Sequence, residues 1–246
     1  MDFNKEQIFI VTGASSGLGE ATAIMLNKLG ATVIGIGRNL SRLETMKSKC
    51  LNPDNMFLEQ KDLADDIENL PKYVKELKEK YGKFSGMAYC AGVAGIVPIH
   101  AQDYNNLINI FNANYFCPVL MTKGLVNKRN NIGTRTSIVV ISSIAAISND
   151  KGHLAYSGSK SALCSSMKSI AREVANTGIR INTILPSCIK TPMTMLDEEY
   201  LNTQKEFYPF GIGEPDDVAN MIVYLLSDKA KFISGQNYVI DSGGVL

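Results

Sequence analysis

The chain has 246 residues, of which 45% are hydrophobic and 20% are charged. Its 25 basic and 24 acidic residues leave a net charge of +1, which excludes a strong whole-protein field for nucleic acid or anionic lipid. The composition also excludes collagen-like, disordered and membrane-spanning chains, and the length favours one α/β or all-β domain with a sizeable core.

No segment has the pattern of a targeting or membrane-spanning sequence. The longest apolar run near the N-terminus, at 8–11, is far shorter than a signal-peptide core or a membrane span. The five cysteines are odd in number and form no CxxC pair, which favours reduced thiols over a disulfide framework or a zinc site. We therefore expect a soluble, cytoplasmic protein that binds neither nucleic acid nor membrane.

Short β-branched runs alternate with helix-length stretches along the chain. The runs predict buried parallel strands at 7–11, 31–37, 86–92, 137–143, 181–186 and 238–241, and a further strand, third in chain order, ends before Asp62. Helices are predicted between them at 17–29, 66–81, 103–127, 156–177 and 215–228. This alternation predicts a doubly wound (Rossmann) parallel sheet of about seven strands, with helices on both faces, in a single domain over 1–246.

Glycine and polar residues follow each predicted strand. An open α/β sheet binds its ligand at this edge, beyond the carboxyl ends of the strands. In strand order, the residues are Gly13 to Gly19, Arg38, Asp62, Ala91-Gly92, Ser142-Ser143 and Pro186-Ser187. Their repeated occurrence at one edge predicts a single binding site there.

The segment VTGASSGLG, at 11–19, joins the first strand to the first helix. Glycine permits a tight turn and a close approach of the backbone, while the helix N-terminus offers free N–H donors to a pyrophosphate. The predicted cofactor contacts in this loop are Gly13, Ser15, Ser16, Gly17, Leu18 and Gly19. A glycine-rich turn without a ligand is the alternative interpretation.

The end of the second strand indicates which dinucleotide binds. NAD-type sites place an acidic residue there for the ribose 2′-hydroxyl, but no carboxylate occurs before Glu44. Arg38 occupies this region instead, and a guanidinium suits a 2′-phosphate, with help from Ser15 or Arg42. We predict NADP(H) rather than NAD(H); the alternative is that Arg38 is a solvated surface residue.

Tyr156 and Lys160 are four residues apart at the start of the long helix after the fifth strand, so both can point into one cleft. A free tyrosine has a pKa of roughly 10, and a nearby ammonium would lower it towards useful acid–base chemistry. Ser143, at the end of the preceding strand, can donate to a carbonyl oxygen on which negative charge develops. A tyrosine–lysine pair alone would more often be a surface pair.

These motifs together resemble the short-chain dehydrogenase/reductase family over essentially the full chain. The matching segments are TGASSGLG (12–19), Asp62-Leu63, CAG (90–92), Asn114, ISS (141–143), YSGSK (156–160), LPSCIKTPM (185–193) and the C-terminal GEPDDVANMIVYLLSD…ISGQNYVIDSGG. The C-terminal segment is most similar to the branch of 3-oxoacyl-acyl-carrier-protein reductases.

The resemblance implies a role for each catalytic position. Tyr156 would be the proton donor, Ser143 would orient the substrate carbonyl, and Lys160 would bind ribose and tune Tyr156. Asn114 would hold a water in a proton relay, although its amide could instead satisfy a neighbouring backbone group. The cofactor would also contact Asp62, Leu63, Ala91, Gly92, Pro186, Ile189 and Thr191, together with Tyr156 and Lys160.

Several residues leave alternatives open. Asp62, expected at the adenine, could be only a turn or helix-cap residue. Cys90 and Ser187 stand where the family usually has asparagine and glycine, which puts the stability and the nicotinamide-pocket loop in question. His100 and His153 are too few and too far apart for a metal site, so no metal is predicted.

The sequence therefore predicts an NADPH-dependent carbonyl reductase that works reversibly as an alcohol dehydrogenase. The substrate is a small-molecule carbonyl or alcohol, with a 3-oxoacyl thioester on acyl carrier protein as one candidate. Lys128, Arg129 and Arg172 could meet an acidic carrier, or be ordinary solvated charges. An apolar lid is expected at 194–212.

Other functions remain as alternatives to this hypothesis. They are a reductase of a specialised ketone, sugar or steroid-like alcohol, an epimerase or dehydratase of the same fold, and a non-catalytic NADPH sensor. The resemblance also implies a homo-oligomer, either a dimer or a homotetramer, formed through helices and the C-terminal strand.

Overall fold

The computed structural model describes residues 1–148, 150–194 and 205–244. Its strands are β1 (Ile8–Thr12), β2 (Thr32–Gly37), β3 (Met56–Gln60), β4 (Gly86–Tyr89), β5 (Ser137–Ile141), β6 (Arg180–Pro186) and β7 (Asn237–Ile240). Within the described residues, these seven strands form one parallel sheet in the order β3-β2-β1-β4-β5-β6-β7. The predicted doubly wound fold is confirmed.

The strand order reverses at β1, which pairs with β2 on one side and with β4 on the other. Thr12, the last residue of β1, lies opposite Ile36 on one side and Tyr89 on the other. The connections that leave β1 and β4 run to opposite faces of the sheet, which opens a crevice beyond their carboxyl ends. The predicted binding residues follow these same strands.

Helices cover both faces of the sheet. They are α1 (Gly17–Lys28), α2 (Leu40–Ser48), α3 (Leu70–Tyr81), α4 (Tyr104–Phe111), α5 (Cys117–Val126), α6 (Ala145–Ser148), α7 (Leu154–Val174) and α8 (Pro215–Leu226). Alternate residues of β1 point to opposite sides, as strand geometry requires. Phe9 and Val11 join a core with α1 and α8, while Ile10 joins a second core with α3, α5 and α7.

The helix predicted at 103–127 is interrupted. α4 ends at Phe111, a π-helical turn spans Asn112–Phe116, and α5 begins at Cys117. Pro118 explains the break, because it has no N–H for the carbonyl of Asn114 and its ring crowds the preceding turn. The wider turn brings Asn114 to a fully buried position.

The helix α2 was not predicted because most of its residues are polar. Only Leu43 and Met46 are buried along its length. The signal that could have identified it is Asn39, whose side chain caps the helix by accepting from the backbone N–H of Arg42 at 3.0 Å.

The lid predicted at 194–212 falls mainly at 195–204, outside the described residues. Beyond that gap, a short 3₁₀ turn at Lys205–Phe207 precedes α8. In the parts of the chain that the structure describes, no helix combines the length and apolar character needed to cross a bilayer.

Candidate active site

A cleft of about 610 Å³ opens at the carboxyl edge of the sheet. All the predicted catalytic and cofactor-binding residues line it except Gly19 and Asn114, which lie behind its walls. Residues from six different strand ends therefore meet in one place, as expected for ligand binding at a topological switch point.

The glycine-rich loop at one end of the cleft packs tightly on the end of β4. The Thr12 hydroxyl accepts hydrogen bonds from the backbone N–H groups of Cys90 and Ala91, both at 3.1 Å. Gly13 has a φ of +68°, and a Cβ there would lie 3.0 Å from the nitrogen of Ala91. Glycine is required at this position for both its conformation and its close approach, and the loop leaves an open cradle in front of α1.

Replacement of Gly19 by alanine is expected to disrupt this cradle. A Cβ at Gly19 would lie 2.3 Å from the carbonyl oxygen of Gly13, so the loop would have to move away from α1. We expect dinucleotide binding, measured by fluorescence titration of the folded variant, to weaken at least about tenfold. Gly95→Ala is the matched control, since its Cβ would make only an ordinary 3.5 Å contact with Ile110. Unchanged binding in Gly19→Ala would contradict this role.

Charged groups line the β2 end of the cleft beside the glycine-rich loop, where a Cβ at Gly37 would lie 3.1 Å from the hydroxyl oxygen of Ser15. Arg38, directly after β2, lies with its guanidinium 3.6 Å from the carboxylate of Asp62, and its side chain is 71% exposed. Asp62 also accepts from the backbone N–H of Ala64 at 3.0 Å, so it stabilises a turn as well as lining the cleft. Lys61, which sequence reasoning missed, lines the same end, whereas Arg42 lies in α2 and is not a lining residue.

The three side chains predicted to be catalytic after β5 come from two parts of the chain. Ser143 follows β5, and Tyr156 and Lys160 occupy successive turns at the start of α7. The Ser143 side chain hydrogen-bonds Tyr156, and its hydroxyl oxygen also accepts from the N–H of Ala145 at 3.2 Å. The Lys160 ammonium lies 5.8 Å from the centre of the Tyr156 ring. Two hydroxyl groups and an ammonium therefore converge on one part of the cleft.

Burial shifts the pKa values of Tyr156 and Lys160, an effect that the sequence did not indicate. Burial raises the pKa of Tyr156, and the hydrogen bond with Ser143 lowers it. The expected lowering by the ammonium of Lys160 is therefore not the main effect in this structure. Burial also lowers the pKa of Lys160 to about 8, which weakens its positive charge near that pH, and its Nζ donates to the Ile141 carbonyl at 2.9 Å.

Asn114 holds the loop after β4 behind the residues predicted to be catalytic. Its amide oxygen accepts from the backbone N–H of Val93 and its amide nitrogen donates to the Val93 carbonyl, both at 2.9 Å. The amide nitrogen also lies 3.3 Å from the hydroxyl of Ser159. These contacts match the alternative interpretation, in which the amide satisfies a neighbouring backbone group. The role in a proton relay stays a prediction.

The two departures from the family pattern fit the structure. Cys90 packs against the core shared with α1, its thiol hydrogen-bonds Thr22, and burial raises its pKa to about 12. Ser187 donates its N–H to the carbonyl of Ile240 at 2.9 Å. In the described residues, the non-glycine positions with positive φ are Arg135 and Ser242, so Ser187 does not need the freedom of glycine.

The basic residues proposed to meet a carrier protein lie at the other end of the sheet. The carbonyl of Asn130, next to Lys128 and Arg129, accepts from the N–H of Phe84, which precedes β4. Arg172 is near the C-terminal end of α7, where the chain turns to enter β6. All three lie near the amino ends of the strands, at the edge of the sheet opposite to Tyr156 and the cleft.

Further lining residues come from positions within or adjacent to the recognised motifs. Val93 follows the CAG segment, and Met193 and Thr194 follow Thr191. The Thr194 hydroxyl accepts from the N–H of Thr191 at 3.0 Å and donates to the Ile189 carbonyl at 2.5 Å, which closes this loop. Met193 is the last residue of the recognised LPSCIKTPM segment and Thr194 is the first of the predicted lid, whereas the CAG segment is the signal for Val93. Over the described residues, no cluster of three or more histidine, cysteine or acidic residues could hold a metal.

Comparisons with known proteins agree with this geometry. A family model described as enoyl-(acyl carrier protein) reductase matches residues 13–244. The 3-oxoacyl-[acyl-carrier-protein] reductase of Rickettsia conorii is 33% identical over 240 residues, 95% of each chain. That of Thermotoga maritima is 29% identical over 245 residues, 98% of each chain. A solved short-chain type dehydrogenase/reductase from Mycobacterium ulcerans has 28% identity and a TM-score of 0.90, covering 100% of this chain and 91% of that one.

Proposed function

The chain belongs to the short-chain dehydrogenase/reductase family, and from this premise we propose that it is an NADPH-dependent reductase of 3-oxoacyl thioesters. It is an oxidoreductase that acts on CH–OH groups and their carbonyl counterparts. The observation that carries the proposal is the convergence of Ser143, Tyr156 and Lys160 in the same cleft as the glycine-rich loop.

The residues of the cleft fit a nicotinamide dinucleotide. Gly13 and Gly92 keep the floor of the cleft free of side chains: a Cβ at Gly13 would crowd the backbone of Ala91, and one at Gly92 would lie 3.0 Å from the amide oxygen of Asn114 and 3.5 Å from the ammonium of Lys160. The loop after β1 would hold the pyrophosphate, and Lys160 would donate to ribose hydroxyls. When bound, the nicotinamide supplies the hydride that reduces the carbonyl carbon.

The protein supplies the proton and orients the substrate. Ser143 and Tyr156 can both donate to one carbonyl oxygen, which suits the charge that grows on this atom during reduction. Tyr156 then transfers its proton to that oxygen, and Lys160 assists in restoring it. The carbonyl of Asn114 has no α-helical donor at Pro118, which makes this carbonyl the proposed acceptor for a relay water.

Arg38 supports the choice of NADPH. It lies directly after β2 with an exposed guanidinium, which faces the position expected for a 2′-phosphate, whereas the ammonium of Lys61 lies 5.1 Å from the centre of the Tyr73 ring. We expect Arg38→Ala to lower kcat/KM for NADPH by about fiftyfold and to change that for NADH by less than about threefold. Arg42→Ala is the matched control, because this arginine does not line the cleft. A wild-type preference for NADH would refute the choice of NADPH.

The substrate class is tested by parallel assays of NADPH consumption. The panel contains an acetoacetyl thioester, a crotonyl thioester and simple ketones, with purified wild-type protein. We expect rapid turnover of the acetoacetyl thioester, because the hydroxyl groups of Ser143 and Tyr156 can both donate hydrogen bonds to its ketone oxygen. Preferential turnover of the crotonyl thioester would favour the enoyl reduction named by the family model. Turnover of ketones or sugars alone would favour a specialised reductase.

The partners and location are further parts of the proposal. Acyl carrier protein is the proposed carrier of the substrate, consistent with the names of the relatives. Docking at Lys128, Arg129 and Arg172 would not present the substrate to the cleft of the same protomer, because these residues lie at the opposite edge. We also propose a cytoplasmic homo-oligomer, with a homotetramer as the expected state.

A further inference from the structure

The two neighbouring serines after β5 have different partners. Ser143 bonds Tyr156, whereas Ser142 donates its hydroxyl proton to the main-chain carbonyl of Lys160 at 3.0 Å. The hydroxyl oxygen of Ser142 accepts from the thiol of Cys164 at 3.2 Å. Ser142 and Cys164 are only 3% and 6% exposed, respectively. A buried chain of hydrogen bonds therefore runs from Cys164 through Ser142 to Lys160.

The sheet holds both ends of Lys160 through consecutive residues. Ser142 is itself fixed, because its N–H donates to the carbonyl of Ile184 in β6 at 2.8 Å. Ile141, the last residue of β5, accepts from the ammonium of Lys160 at 2.9 Å. The main chain of Lys160 is thus attached to Ser142 and its side-chain tip to Ile141. A long, flexible side chain becomes anchored at two points relative to β5.

We propose that Ser142 and Cys164 are positioning residues that fix Lys160 relative to Tyr156 and Ser143. The inference rests on the role of Lys160 in the proposed function. A hydroxyl group has one proton and can also accept, so donation by the thiol leaves the proton of Ser142 for the Lys160 carbonyl. Catalytic groups lose much of their effect when displaced by about 1 Å, which is why such supporting contacts matter.

The pH dependence of kcat separates positioning from general stability. The titratable groups around Lys160 are Tyr156 and Cys164 on its own helix and Cys90 beyond β4. Burial keeps the pKa of Lys160 at about 8. Loosening of α7 from Ser142 would admit water to the ammonium and move its pKa back towards its ordinary value. A contact that only stabilises the fold would change the free energy of unfolding without shifting the pH profile of kcat.

The experiment compares Ser142→Ala with Ser161→Ala in the full chain. Ser161 is the matched control, because its hydroxyl anchors the same helix by donating to the carbonyl of Ala146 at 2.7 Å, and not to the main chain or side chain of Lys160. We expect Ser142→Ala to lower kcat roughly tenfold and to shift the midpoint of its pH profile by at least about half a unit. Ser161→Ala should keep kcat within about twofold and leave the midpoint in place.

Two variants of Cys164 keep the inference testable if Ser142→Ala does not fold. Cys164→Ala should lower kcat by about threefold, and Cys164→Ser should restore it, because a hydroxyl can replace the thiol as donor to Ser142. Wild-type kcat and pH profile in Ser142→Ala, or equal losses in Ser161→Ala, would overturn the inference. So would equal losses in Cys164→Ala and Cys164→Ser. A wild-type chain inactive on all carbonyl substrates would contradict the proposed function itself, and this inference with it.

Discussion

Tyr156→Phe is expected to lower kcat/KM for the ketone substrate by about a thousandfold while leaving NADPH affinity within about threefold. The substitution removes the hydroxyl that bonds Ser143 and keeps the ring beside Lys160. Ser143 can still donate a hydrogen bond to the carbonyl oxygen, but its aliphatic hydroxyl is too weak an acid to transfer a proton in place of Tyr156. The two quantities are measured by steady-state kinetics and by titration of NADPH fluorescence.

Tyr104→Phe is the matched control for this prediction. Tyr104 lies at the start of α4 with 74% of its surface exposed, so its hydroxyl can be removed without disturbing the cleft. Wild-type kinetics are expected for this variant. If Tyr156→Phe kept activity within about tenfold of the wild type, Tyr156 would not be the main proton donor. If it lost NADPH binding as well, its role would be mainly in the shape of the site.

Lys160→Met should lower kcat at least about a hundredfold and change how stability depends on pH. Burial lowers the pKa of Lys160 from 10.5 to about 8 in the folded protein. Between these values the unfolded chain binds more protons than the folded one, so Lys160 makes the free energy of unfolding rise with pH. Below about pH 8 both states are protonated, and the cost of burying the ammonium is present in full.

The measurement is urea unfolding of wild type and Lys160→Met at about pH 7 and about pH 9.5. The difference in unfolding free energy, wild type minus variant, should rise by about 2 kcal/mol between the two values. Comparison of the two proteins removes most of the contribution of the buried thiols and phenols, which they share. A difference that stays constant with pH would show that Lys160 is charged and well solvated in the folded state.

The sequence was sufficient to predict the sheet and the residues that meet in the cleft. The strands were identifiable because buried parallel strands are continuous β-branched runs, and the carboxyl-edge rule then brought Gly13, Arg38, Ser143 and Tyr156 together. Glycines at close contacts were also recognisable, because their spacing is fixed by the turn between β1 and α1.

Other features depend on tertiary contacts that no local pattern contains. The bonds of the Asn114 amide require the loop after β4, and the raised pKa of Tyr156 depends on burial created by several elements. Arg172 lies near the amino ends of the strands because α7 runs back across the sheet from the cleft, and its charge alone does not indicate this position. The helix α2 likewise has no clear apolar pattern, because most of its residues are polar and only Leu43 and Met46 are buried.

Isotope transfer tests the central claim, hydride transfer from NADPH to a carbonyl carbon, most directly. The wild-type protein is incubated with an acetoacetyl thioester and NADPH that carries deuterium at the transferred position of the nicotinamide, and the product is analysed by mass spectrometry and NMR. We predict one deuterium on carbon 3 of the 3-hydroxyacyl product, with one NADPH oxidised for each product molecule. If a 3-hydroxyacyl thioester were instead inverted at carbon 3 or lost water with no net change in the cofactor, while the acetoacetyl thioester gave no product, the protein would be an epimerase or dehydratase. Tight NADPH binding with no product from any carbonyl substrate would indicate a sensor, and either result would contradict the proposed function.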